Sequence, residues 1–206
     1  MRYPVPDLPP GGRHESEIEV ERSRFLTWLC HAPEPAAFEA LLAAARAAHP
    51  GASHHCSAFI AGPPGEQAAI GFSDDGEPGG TAGRPMFQAL EGSGLGQVGC
   101  VVIRYFGGTK LGTGGLARAY AQAVAQGLEH LPRRELVERR PLRLRVEFAG
   151  EAEARAWLAA HEIPVEAADY AAEGVILSVG WPSDRPVDLD ELASRLRGRL
   201  TRLPPP

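Results

Sequence analysis

Val98-Gly99-Cys100-Val101-Val102-Ile103-Arg104-Tyr105, running directly into Phe106-Gly107-Gly108-Thr109-Lys110-Leu111-Gly112-Thr113-Gly114-Gly115-Leu116, is the stretch that decides the fold. Its first eight residues are almost continuously apolar, with no polar alternation. That pattern suits a central strand covered on both faces. The glycines that follow end the strand, and Leu116, Tyr120, Val124 and Leu128 then recur at helical spacing as far as His130, with Pro132 beyond. A buried strand, a glycine loop and a helix in that order place the chain among α/β (α+β) folds.

The rest of the chain can be read outward from this segment. Glu15 to Val20 and Arg24 to His31 read as two strands joined near Arg22-Ser23. Glu34 to His49 reads as a helix stopped by Pro50-Gly51. Ser57 to Ala61 and Ala68 to Ser73 form a strand pair around Gly62-Pro63-Pro64-Gly65, and Thr81 is placed to cap a short helix from Ala82 to Glu91. After Arg133-Arg134 the pattern restarts. Leu142 to Phe148, Pro164 to Tyr170 and Val175 to Trp181 read as strands, and Glu151 to His161 and Asp188 to Leu200 as helices. This is a ferredoxin-like βαββα unit with its last strand short or missing. Two domains are therefore expected, residues 1–135 and 136–206, with a frayed tail at Pro204-Pro205-Pro206.

Composition narrows the function classes. The chain has 206 residues, 44% of them apolar, enough for two cores. It has no run of about 20 apolar residues to cross a membrane, and Met1 to Gly12 lacks a signal-peptide core, so a cytoplasmic protein is expected. Cys30, Cys56 and Cys100 are odd in number and lie in apolar surroundings, which predicts reduced core thiols and no structural zinc. The net charge is −5, yet it is unevenly spread: residues 1–83 carry −6, residues 84–145 carry +6 and residues 146–206 carry −5. Lys110, the only lysine, lies in the basic block and inside the glycine loop.

Of the 24 glycines, 14 fall between Gly71 and Gly115, in two loops that each precede a helix and in the elements between them. In the second loop Gly107, Gly108, Gly112, Gly114 and Gly115 let free amides approach a ligand at a helix N-terminus. Lys110 adds a mobile charge, Arg118 leans back from the first turns and Arg104 approaches from the strand end. That set predicts an anion site, with phosphate the natural guest. Close packing of helix on sheet is the competing account of Gly114 and Gly115. The loop is neither a Walker A motif, since Thr113-Gly114 stands where Lys-Ser/Thr is required, nor a dinucleotide fingerprint. The first loop offers Asp74, Asp75 and Glu77, with His54 upstream. No metal motif has their spacing, and the two aspartates are expected to bond amides of the Gly79-Gly80 turn. No nucleophile motif is present, so no catalytic residue, cofactor or metal is assigned.

Asp74-Asp75-Gly76-Glu77-Pro78-Gly79-Gly80-Thr81-Ala82-Gly83 and the segment Arg104 to Tyr120 strongly resemble the IMPACT/YigZ family, as does His49-Pro50-Gly51-Ala52-Ser53-His54-His55-Cys56, although His55 stands where an asparagine is usual. The resemblance covers residues 15–130. It implies an N-terminal ribosomal-protein-like α/β domain, similar to domain IV of elongation factor G, followed by a ferredoxin-like domain similar to domain V. Eukaryotic members regulate translation through protein contacts that use an additional N-terminal domain, which this chain is expected to lack. The implied function is non-enzymatic binding of RNA, ribosome or other translation-machinery elements. A protein-interaction module in translational control and an enzyme acting on a phosphorylated small molecule are the alternatives.

Overall fold

A computed structural model of the chain describes residues 1–67 and 69–204. It divides into two compact units, residues 3–136 and residues 1–2 with 137–206. Ala68, expected to open a strand, and Pro205-Pro206 of the expected tail lie outside the described residues.

The larger unit is built on a five-stranded sheet. β2 (His14–Val20) and β3 (Ser23–His31) form the opening hairpin, turning at Glu21-Arg22, where both residues take positive φ (46° and 68°). β4 (His54–Ile60), β5 (Ile70–Ser73) and β6 (Val98–Tyr105) complete the order β2-β3-β6-β4-β5, with every pair antiparallel. β6 is thus central, flanked by β3 and β4, as its unbroken apolar run requires. Val101 and Ile103 meet Trp28, Phe38, Leu41 and Ala45 on the side of helix α1 (Pro35–Ala48). Cys100 and Val102 face the opposite way, toward α2 (Gly83–Gly92) and α3 (Gly112–Glu129), whose Met86, Leu90, Leu116, Tyr120 and Val124 close the main core. Both faces of the sheet are covered by helices. The Pro-rich terminus contributes β1 (Arg2–Pro6), which pairs with β7 (Arg133–Val137). Tyr3 and Val5 are buried, and Pro4 lies between them in an edge position that tolerates a missing donor.

The smaller unit contains β8 (Arg139–Val146), α4 (Glu151–Ala160), β9 (Val165–Ala171), β10 (Gly174–Pro182), α5 (Asp190–Arg195) and β11 (Leu200–Leu203). Its antiparallel order β11-β8-β10-β9 is ferredoxin-like, and of the two expected alternatives the last strand is short rather than missing, which extends βαββα to βαββαβ. The helix expected over Asp188 to Leu200 is shorter for the same reason. Leu192, Leu196 and Leu200 mimic helical spacing, but Arg197 (φ 52°) and Gly198 (φ 78°) turn the chain out of the helix and into β11. Leu142, Leu144, Val146, Leu177 and Val179 pack against Trp157, Leu158 and Leu192 to form a second core.

Candidate functional site

Both glycine loops lie beside the ends of β4 and β6, yet they treat the helices they enter differently. In the first loop Asp74 Oδ2 accepts the Gly80 N–H at 2.8 Å, and Oδ1 accepts those of Ala82 (3.0 Å) and Gly83 (2.8 Å). Asp74, rather than the expected Thr81, therefore caps α2; the Thr81 hydroxyl donates to the Pro78 carbonyl instead. A cap nine residues from its helix leaves no local signature of the Ser/Thr-x-x-Glu kind. Burial alone would raise the Asp74 carboxyl, but the three amides outweigh it and hold the group below its ordinary value. Asp75 Oδ2 accepts the His55 N–H at 2.7 Å, and Oδ1 pairs with Arg46 at 3.2 Å. His55 Nε2 lies 3.0 Å from the His49 carbonyl, so the unusual histidine is a buried link between strand and helix end.

Helix α3 has no such cap. Leu111 precedes it without a side-chain hydrogen bond, its first turn carries no acidic residue, and Gly112, Thr113 and Gly114 are exposed. The positive end of the dipole and the first free amides thus face an open pocket of about 350 Å³. The pocket is lined by Lys110, Gly112 and Thr113, by apolar Pro78, Phe106, Leu111 and Leu116, and by Glu77 with Arg104.

Arg104 departs from its expected place. It is 5% exposed, its guanidinium donates to Glu77 Oε1 at 2.5 Å and to Ser23 Oγ at 3.3 Å, and its charge is spent on Glu77. Its side chain points to the α2/α3 face because β6 alternates, and an arginine there must find a carboxylate. Its Nε is buried without an acceptor. Tyr120 on α3 donates to the same Glu77 oxygen at 2.8 Å. His54 Nδ1 lies 2.8 Å from the Asp75 carbonyl, which can only accept, so that nitrogen carries the hydrogen; Nε2 lies 3.7 Å from Glu77 Oε2. Cys56 lies 3.3 Å from the Tyr120 hydroxyl, and burial pushes its thiol up to about 12. Glu77 is thus the knot that ties the first loop to β4, β6 and α3. Among the described residues, no group of three or more His, Cys, Asp or Glu is placed to hold a metal ion.

The structure therefore brings Glu77, Arg104, Lys110 and Gly112 into one pocket and lays the Arg118 guanidinium beside Gly114, where an added Cβ would meet Arg118 Nη1 at 3.2 Å. Asp74 and Asp75 are turned to backbone and to Arg46. Close packing does not account for Gly114, whose added Cβ would meet only the Arg118 tip, whereas one at Gly115 would crowd Leu111 Cβ at 3.1 Å at the start of the helix rather than the sheet. It accounts for Gly107, where a Cβ would lie 2.0 Å from the Arg22 carbonyl oxygen, and for Gly83 and Gly127. Gly108 has φ +87° with open space around it, the backbone freedom the loop requires. Sequence reasoning missed Tyr120 as a partner of Glu77, although a tyrosine on a buried helix stripe always raises the question of its hydroxyl. It also missed Ser23 and Ser53, which hold the loop by accepting the Gly107 and Phe106 N–H groups, and nothing in the sequence marks them.

Fold and site together define a class: a two-unit α+β protein whose larger unit carries an uncapped glycine loop. The Impact N-terminal domain matches residues 21–128. The chain is 40% identical to the IMPACT family member YigZ of Escherichia coli over 186 residues, covering 90% of this chain and 91% of that one. It is 38% identical to an IMPACT family member from Thermus thermophilus over 183 residues, 88% of this chain and 97% of that one. A crystal structure of a hypothetical protein, 38% identical, superposes with a TM-score of 0.69 over 98% of this chain and 96% of its own. The chain belongs to the IMPACT family. No helix among the described residues is long and apolar enough to cross a membrane.

Proposed function

We propose that this chain is a non-enzymatic binder of RNA, on the ribosome or elsewhere in the translation machinery, and that the pocket at the start of α3 is its phosphate seat. One contrast carries the reading. Of the two helices that follow glycine loops, α2 is capped by Asp74, whereas α3 leaves its amides open beside Lys110, which has no hydrogen-bond or ion-pair partner among the described residues. Free amides, a helix dipole and an unpaired ammonium together favour an anion. The Arg118 guanidinium lies beside Gly114 in the first turn of α3, and the Arg22 backbone packs against Gly107. The tie to translation rests on the resemblance to family members that regulate it.

The test is binding of ribosomal RNA fragments across a salt series. Phosphate contacts release counterions, so affinity should fall linearly on a logarithmic salt scale. Lys110→Ala and Arg118→Ala should weaken binding to all sequences alike and make the slope shallower, by roughly 0.7 to 1 per lost contact. Salt-insensitive binding, or none, rejects the proposal.

A further inference from the structure

Resting on that reading, we infer that the pocket takes one unpaired nucleotide, its base laid on Phe106 and its phosphate on the α3 amides and Lys110, so that the chain selects single strands over duplexes. Phe106 is half exposed (50%), although its backbone is fixed: its own N–H is bonded by Ser53 Oγ at 3.1 Å and that of Gly107 by Ser23 Oγ at 3.2 Å. The other half-exposed phenylalanines have ring neighbours. Phe72 packs on Phe87 at 5.5 Å, and Phe148 stacks on Tyr170 at 6.5 Å. Among the described residues no aromatic ring packs on Phe106; the buried Arg104 guanidinium lies 5.6 Å from its centroid, and the anchored loop holds the half-exposed ring at the pocket lip.

Two features of the pocket separate a nucleotide from a bare phosphate. Pro78, Leu111 and Leu116 give it an apolar wall that an inorganic anion does not need. Its volume of about 350 Å³ suits one nucleotide rather than a helix turn. Bases in a duplex are stacked on their neighbours and cannot reach such a ring, whereas those of a single strand can.

The experiment compares a labelled single-stranded oligoribonucleotide of about ten residues with the same strand annealed to its complement. The full chain, Phe106→Ala, Phe106→Tyr and Lys110→Ala are titrated against both in a salt series. The wild type should prefer the single strand. Phe106→Ala should lose about five- to hundred-fold in affinity with an unchanged salt slope, and Phe106→Tyr should keep it. Lys110→Ala should instead flatten the slope. A nucleoside monophosphate should displace the strand only weakly; full displacement at equal concentration would assign the pocket to free nucleotides and overturn the strand as source. If Lys110→Ala weakens binding while Phe106→Ala binds like wild type, or if duplex and single strand bind alike, the base-stacking inference fails and the phosphate seat stands. If the wild type binds neither RNA at low salt, both fall.

Discussion

Asp74 shows how much one carboxylate organises. It satisfies three amides that would otherwise be orphans at the start of α2, and its loss leaves them without acceptors. Asp74→Ala should lower the unfolding free energy by about 1–3 kcal/mol at neutral pH, measured by urea denaturation. The pH dependence follows from the direction of its shift. Because the folded value is depressed, the unfolded chain takes up the proton first as pH falls, so the contribution is present above the unfolded value of about 3.9 and is lost as pH falls through the folded one. The deficit of the variant should therefore shrink below about pH 4, and a pH-independent deficit would show that the carboxylate charge is not what the amides bind. Glu77 acts at the same scale but in the interior, where Arg104 and Tyr120 share one of its oxygens. That sharing explains why a charged residue sits in the middle of a turn.

At the scale of elements, the glycines divide into those the backbone needs and those a ligand could use. Gly107→Ala would drive a methyl to within 2.0 Å of the Arg22 carbonyl oxygen and should cost about 1–3 kcal/mol, as overpacking does. Gly114→Ala meets only the mobile tip of Arg118 and adds a better helix former. It should leave stability unchanged or raise it by about 0.5 kcal/mol while moving Arg118 and weakening RNA binding. Denaturation and binding curves on the two variants check both, and equal stability losses would defeat the distinction. The elements themselves were largely legible in the sequence, because their signals are periodic and local: the apolar run of β6, the Leu116-Tyr120-Val124 stripe, the alternation of β8. The site was legible only in part. Lys110 and the α3 amides follow from order along the chain, but the destination of Arg104 depends on which way β6 presents position 104. The Asp74 cap and the Ser23 and Ser53 anchors depend on contacts between distant segments. The short β11 was hidden for a related reason, since a leucine spacing that suits a helix also suits a helix stopped at Gly198 and a strand beginning at Leu200.

At the scale of the molecule, each unit has its own buried core, and the candidate pocket draws every wall from the larger one. Leu144 is fully buried in the smaller unit. Leu144→Ala should cost that unit about 2–5 kcal/mol while leaving Lys110-dependent RNA binding at its wild-type strength under native conditions. Near-ultraviolet circular dichroism and RNA titration on the same sample would read the two effects. Loss of binding together with an intact fold would show that the pocket depends on more than its own walls.

The ladder around β6 sets Arg104 opposite Phe25 on one side and His54 on the other. Inserting a single residue into β6 ahead of that point would invert the facing of everything after it, sending the guanidinium to the α1 side and stranding the Glu77 carboxylate. Positions from Phe106 onward escape this constraint, since no neighbouring strand pairs with them. The charged floor is thus fixed by strand register and the lip above it by the Ser23 and Ser53 anchors, so such an insertion should break the Arg104–Glu77 pair, read as lost stability, rather than act at the lip itself.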